Sequence, residues 1–254
     1  MRLQVLGASG GIGTGLRTTS LLVDDDILID AGTGVWDLAL HEMASIRHIF
    51  LTHSHLDHVA GMPLLVDTVF DRLDGPITVH ARAETIEAIR QHVFNWVIWP
   101  DFTKLPSPER PAVRFAPMRP GERREIGGRV IEMIEVAHAV PAAGYRVECA
   151  TGAFAFSGDT SSNDAFWEAL NRHERLDVLI VETAFSDHEE PLSRKAGHYC
   201  PSLLAADLRK LNHRPRVYLT HLKPGEEELI YAQCRERVER LQVRPLRGGQ
   251  VFQL

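Results

Sequence analysis

Short apolar runs recur along the chain, and about half of them are closed by Gly, Asp, His or Ser. In the first half these are Leu3–Leu6, the Arg17–Val23 stretch, Ile27–Asp30, His48–Leu51, Ile77–His80 and Val113–Ala116. In the second half they are Val130–Val136, Gly144–Cys149, Ala153–Ser157, Val178–Val181, Val217–Thr220 and terminal runs around Val243 and Val251. Runs this short, rich in β-branched residues and bounded by turn formers, predict strands. Between them the spacing lengthens to that of helices over Val35–Ala44, Met62–Phe70 and Ala83–Phe94, the last with Ile86, Ile89 and Val93 on one face. Further helices are predicted near Asp164–Asn171, Ser202–Leu211 and Glu226–Glu239, and the Pro-rich stretch 100–111 reads as an irregular surface insertion. Both halves mix strands with helices. Two mixed sheets packed face to face, with helices on the outer faces, would bury this pattern in one domain spanning 1–254.

One stretch imitates a different fold. Gly7-Ala8-Ser9-Gly10-Gly11-Ile12-Gly13 has the glycine spacing of a dinucleotide-binding turn. That turn works only when a helix follows at once and its N-terminus receives the pyrophosphate. Here a β-branched strand follows, and Asp24-Asp25-Asp26 turns it into the next strand. The glycines are therefore expected to form a loop between two antiparallel strands.

With 254 residues, 44% of them hydrophobic, the chain has ample material for a core. Its formal net charge of −6 argues against a broad basic face for duplex nucleic acid. No apolar run is long enough to span a membrane. The first residues lack a signal-peptide pattern, and Cys149, Cys200 and Cys234 show no paired spacing, which suits reduced thiols in a cytoplasmic protein.

The chemistry is concentrated in Thr52-His53-Ser54-His55-Leu56-Asp57-His58, directly after Ile49-Phe50-Leu51. Three imidazoles and a carboxylate on one loop suit zinc, with iron or manganese as alternatives. Later strands end in the same kind of residue: His138 after Ile134-Glu135-Val136, Asp159 after Phe154–Ser157 and Gly158, and His221 after Val217–Thr220. Strand ends on one sheet edge lie close together, so these donors can converge on the first loop.

The set His53-x-His55-x-Asp57-His58, His138, Asp159 and His221 resembles the metal site of the metallo-β-lactamase superfamily, whose fold is a four-layer αβ/βα sandwich. The resemblance implies two divalent metal ions, zinc foremost. One would be held by His53, His55 and His138, the other by Asp57, His58 and His221, with Asp159 bridging. Within the superfamily, His53–Gly61 and Phe94-Asn95-Trp96-Val97-Ile98-Trp99-Pro100-Asp101-Phe102 resemble segments of class II cyclic-nucleotide phosphodiesterases. Glu182 and His198 resemble the paired Glu and His of the phosphodiesterase branch, which includes the tRNA 3′-processing endonuclease.

The resemblance implies hydrolysis of 3′,5′-cyclic nucleotides to 5′-monophosphates by hydroxide shared between the two metals. Its catalytic residues would be His198, as proton donor, Glu182, which orients it, and Asp57, also a ligand. Phe94, Trp96 and Trp99 are expected to stack the base, with core packing or a homodimer contact as the other roles open to them. Alternatives are a tRNA 3′-processing enzyme or another phosphodiesterase, a glyoxalase-type thioesterase, and a non-catalytic nucleotide-binding module.

Overall fold

The computed structural model describes residues 1–254. Its first half builds one mixed sheet. β1 (Arg2–Gly7) and β2 (Ser20–Val23) pair antiparallel across the glycine loop, and β3 (Ile27–Ile29) continues the meander. Then β4 (His48–Phe50) and β5 (Ile77–Ala81) run parallel to β3. A two-stranded ribbon, β6 (Pro106–Ser107) with β7 (Arg110–Pro111), lies in the Pro-rich stretch read as irregular. After it β8 (Val113–Pro117) adds parallel to β5.

The second sheet begins with β9 (Arg123–Ile126), β10 (Arg129–Glu135), β11 (Ala143–Glu148) and β12 (Ala153–Phe156), all antiparallel. It ends with β13 (Val178–Glu182), β14 (Arg216–Thr220) and β15 (Val243–Pro245), all parallel to β12. The last strand, β16 (Val251–Gln253), crosses back to pair with β1, giving two seven-stranded sheets.

Three apolar clusters define the layers. Between the sheets, Leu3, Val5, Phe50 and Ile29 from one pack with Tyr145, Phe154, Phe156 and Ile180 from the other. Outside the first sheet lie α1 (Leu40–Ser45), α2 (Leu56–Val59), α3 (Gly61–Val69) and α4 (Ala83–His92); Met62, Leu65, Ile86 and Ile89 join its outer cluster. Outside the second lie α5 (Ala165–Asn171), α6 (Glu190–Ala196), α7 (Pro201–Leu208) and α8 (Glu227–Arg237), with Trp167, Leu204 and Ile230 in the third cluster. The expected αβ/βα sandwich is therefore the observed one. No helix is long and apolar enough to cross a membrane.

Local differences have local causes. The helix expected over 35–44 is broken into a 3₁₀ turn, Thr33–Asp37, and α1, because Leu38 and Ala39 are extended. Glu42 caps the new start by accepting the Ala39 N–H at 2.7 Å. The strand β9 carries Arg123, Arg124 and Glu125 and has no apolar alternation to betray it; pairing with β10 at the sheet edge makes it a strand. A short helix over Glu190–Ala196 was not anticipated from the sequence.

Candidate metal centre

The ligand loop starts where β4 ends. Thr52, two residues past β4, is anchored by Asp30, which lies one residue past β3: the Thr52 N–H donates to Asp30 Oδ1 at 2.8 Å and the hydroxyl to Oδ2 at 2.9 Å. Asp30 is fully buried and adopts a left-handed backbone, φ 57°. It also accepts from His58 Nδ1 at 2.7 Å, leaving His58 Nε2 directed at Asp57 and Asp159, at 3.5 and 3.3 Å. A ligand imidazole oriented through its other nitrogen by a carboxylate is a common second layer of metal sites. Sequence reasoning missed Asp30, although an acid closing an apolar strand was the same signal that pointed to Asp159.

The other donors arrive from the second sheet. His138 stands three residues past β10, with Nδ1 bound to the Gly197 carbonyl at 2.8 Å and Nε2 facing His55 Nδ1 at 3.2 Å. Only glycine suits position 197: its φ is 76°, and a Cβ there would sit 2.7 Å from the Ala139 nitrogen. Asp159 is reached from β12 through Gly158, φ 60°. His221 follows β14 directly, itself at φ 61°.

These donors gather into two groups that share one member. His53, His55, His138 and Asp159 form one; Asp57, His58, His221 and Asp159 form the other; within each, the ligand atoms lie within 4.8 Å of one another. Asp159 Oδ2 is 3.7 Å from His53 Nε2, while Oδ1 is 3.3 Å from His221 Nδ1. All seven metal-ligand candidates from the sequence are thus brought together.

A pair of divalent cations fits this cradle. His53 Nε2, His58 Nε2, Asp159 Oδ1 and His221 Nδ1 are buried without a hydrogen-bond partner. Four orphaned polar atoms facing one space would be costly, and coordination satisfies all four. The protonation tendencies of His53, His221 and Asp159 agree. Burial pushes His53 well below the ordinary imidazole range and His221 down to about 4, which keeps both neutral as ligands. Burial also favours the protonated form of Asp159, but His221 and His58 overcome it and hold the carboxyl well below its usual range. For His58, burial opposes the charge and is outweighed by Asp159 and Asp30, so its tendency to protonate is raised.

Beside the cradle, Glu182 ends β13 fully buried. Its carboxylate accepts from the Thr160 and Ala184 N–H groups, each at 3.0 Å, and from His198 Nδ1 at 2.8 Å. Its oxygens are thus already occupied by N–H donors. Burial raises its affinity for a proton. His198 itself is raised above its ordinary value because Glu182 outweighs the opposing effect of burial. The His198 ring stacks 5.3 Å from His221 and meets His138 edge-on at 4.9 Å, so the imidazole lies against both ligand groups.

Phe94, Trp96 and Trp99, expected to stack a base, lie elsewhere in this chain. The helix α4 leaves the ligand-bearing edge after β5 and carries them to the opposite edge, where the Val113 N–H at the start of β8 donates to Phe102. Phe94 is buried in the outer core against Phe102, Trp99 packs on that cluster, and Trp96 is exposed on a turn at φ 66°. Core packing, one of the two other roles open to them, describes Phe94 and Trp99. Two surface cavities of about 700 and 610 Å³ also contain none of the seven donors.

Residues 25–222 match the Beta-lactamase superfamily domain. Over 88% of the chain and 78% of the relative, the sequence is 26% identical to a probable 3′,5′-cyclic-nucleotide phosphodiesterase of Yersinia pestis. It is also 26% identical to a ribonuclease Z of Bradyrhizobium diazoefficiens, over 91% of this chain and 93% of that one. The crystal structure of unliganded yeast PDE1 superposes with a TM-score of 0.83 at 19% identity, covering 100% of this chain and 99% of the other, a likeness of fold. Domain match, sandwich and ligand cradle agree: the chain belongs to the beta-lactamase superfamily and is a metal-dependent hydrolase.

Proposed function

We propose that this protein hydrolyses small phosphodiesters, with 3′,5′-cyclic nucleotides, opened to 5′-monophosphates, as its substrate. The observation that carries the reading is the Glu182–His198 pair, 2.8 Å apart and stacked against the ligand groups. Cleavage of a phosphodiester needs a proton for the departing alkoxide, and a thioester, whose thiolate leaves readily, does not.

His53, His55 and His138 would hold one cation, Asp57, His58 and His221 the other, and Asp159 both. Bound there, the cations supply Lewis acidity toward a phosphoryl oxygen and lower the pKa of a water toward about 7. The protein's own residues do the rest. Asp30 and the Gly197 carbonyl fix the His58 and His138 rings through their outer nitrogens. Glu182 holds His198 Nδ1, so Nε2 is the nitrogen that hands its proton to the leaving oxygen. In the protonated state His198 carries both N–H groups, and Glu182 stabilises that cation.

A second reading, processing of RNA ends, is favoured by the similarity to a ribonuclease Z. The net charge of −6 weighs toward the smaller substrate, because gripping a folded RNA needs a basic surface. Metal analysis together with a panel of bis-p-nitrophenyl phosphate, 3′,5′-cyclic AMP, precursor tRNA and a glutathione thioester tests the proposal. Turnover of the first two, exceeding the others, is expected. Cleavage of tRNA alone would favour the second reading, and thioester hydrolysis alone would refute both.

A further inference from the structure

Next to the Glu182–His198 pair stand two residues that the reaction above leaves without a task. Phe185 lies three residues past β13, and its ring is 5.7 Å from the His198 ring, tilted by 64°. Lys223 lies two residues past His221. Its backbone N–H donates to the Ala184 carbonyl at 3.3 Å, so the loops leaving β13 and β14 are joined just beyond the residues they contribute to the site. That junction sets the Lys223 ammonium over the face of Phe185, 5.5 Å from the ring centre.

Two of the other three lysines are neutralised by ion pairs. Lys104 and Lys210 are tied to carboxylates at 3.0 and 2.7 Å. The ammonium of Lys223 has an aromatic face as its contact instead. A ring quadrupole restrains a cation without neutralising it, so the charge stays available while its sweep is limited. Lys223 is half-buried, and its charge is near enough to His198 to oppose a second positive charge there. An ammonium is a compact charge with rotatable donors, suited to a phosphoryl oxygen that approaches from more than one angle.

We propose that Lys223, steadied by Phe185, binds an anionic oxygen of the substrate phosphate on the His198 side of the centre. This rests on the phosphodiesterase reading and narrows it. The substrate must present a charged phosphoryl oxygen toward the departing group, which diesters of phosphoric acid do and neutral thioesters do not. Phe185 is a positioning residue, acting through the lysine.

The test is calorimetric binding of inorganic phosphate to the metal-loaded protein, with wild type, K223M, K223R and F185A compared at equal metal content and thermal midpoint. Loss of one charge-assisted hydrogen bond predicts about tenfold weaker phosphate binding in K223M. K223R, which keeps the charge, should stay within about threefold of wild type, and F185A should fall between. With bis-p-nitrophenyl phosphate as substrate, K223M should raise KM with little change in kcat. Unchanged phosphate affinity in K223M, or a wild type that does not bind phosphate, would overturn the assignment. Phosphate binding that depends on Lys223 in a protein cleaving no diester would leave the subsite standing and remove the proposed function. Diester cleavage indifferent to Lys223 would do the reverse.

Discussion

The Nδ1–H of His198 donates to the carboxylate of Glu182 across 2.8 Å, although the two residues come from different elements. Glu182 closes the buried strand β13, while His198 follows the left-handed Gly197 that ends α6. The carboxylate is fixed by three further backbone N–H groups, of Thr160, Ala184 and Tyr199, and transmits that rigidity to the imidazole. Replacing Glu182 by Gln keeps the shape and removes the charge. Turnover should fall about a hundredfold with metal content unchanged, a loss typical of a weakened proton donor. His198→Ala should cost a similar factor, and the double variant scarcely more than either, because the pair acts as a unit.

Asp159 belongs to both ligand groups, and its carboxylate oxygens reach His53, His58 and His221. Asp159→Ala is therefore expected to lower the metal bound from about two equivalents per chain to one or fewer. Plasma emission spectroscopy on the purified protein measures this directly. Full metal content in that variant would contradict a shared ligand.

Asp30 touches no substrate in this reading, yet it orients His58 and pins Thr52. Asp30→Asn should weaken metal affinity about 10- to 100-fold, the usual cost of disturbing an outer-shell carboxylate. Competition with a chromogenic chelator would register the change.

His80 provides a pH test away from the cations. It lies between the sheets, stacked 4.3 Å from Phe50, with Nε2 3.1 Å from His48 Nδ1. Burial, reinforced by His48 and Arg124, lowers its pKa from 6.5 to about 4. Between those values the unfolded chain takes up a proton that the native state refuses. Stability is thus intact above pH 6.5 and declines as pH falls toward 4, by up to about 3 kcal/mol from this group. In His80→Phe, urea unfolding with chelator present should show a shallower decline across that window than wild type does.

The aromatic segment separates packing from binding. Phe94 is buried among Phe102 and Phe115, so Phe94→Ala should destabilise the fold by about 3 kcal/mol or more. Trp96, more than half exposed at the far edge, should leave KM for bis-p-nitrophenyl phosphate within about twofold when replaced by Ala. A large rise in KM for Trp96→Ala would show that this turn reaches a substrate, as it could from a second copy of the chain.

Much of the architecture was legible because short apolar strands and amphipathic helices carry their own periodicity. The donor types were legible too, since His and Asp immediately after apolar strands stand out chemically. Reading along the chain failed where a residue takes its role from a neighbour distant in sequence. β9 is a strand because β10 lies beside it, and Asp30 matters because the loop after β4 turns its amides and His58 toward it. Phe94, Trp96 and Trp99 looked like a base-stacking motif, and the direction of α4 carries them away from the ligands.

By itself, then, the amino-acid order determined the periods of the elements and which side chains could bind metal, since both depend on local geometry and on the chemistry of single residues. Which donors meet, which carboxylate grips which imidazole and which ring carries Lys223 were decided only when the sheets packed. Those relations join strand ends far apart in sequence, and their distances exist only in the folded sandwich.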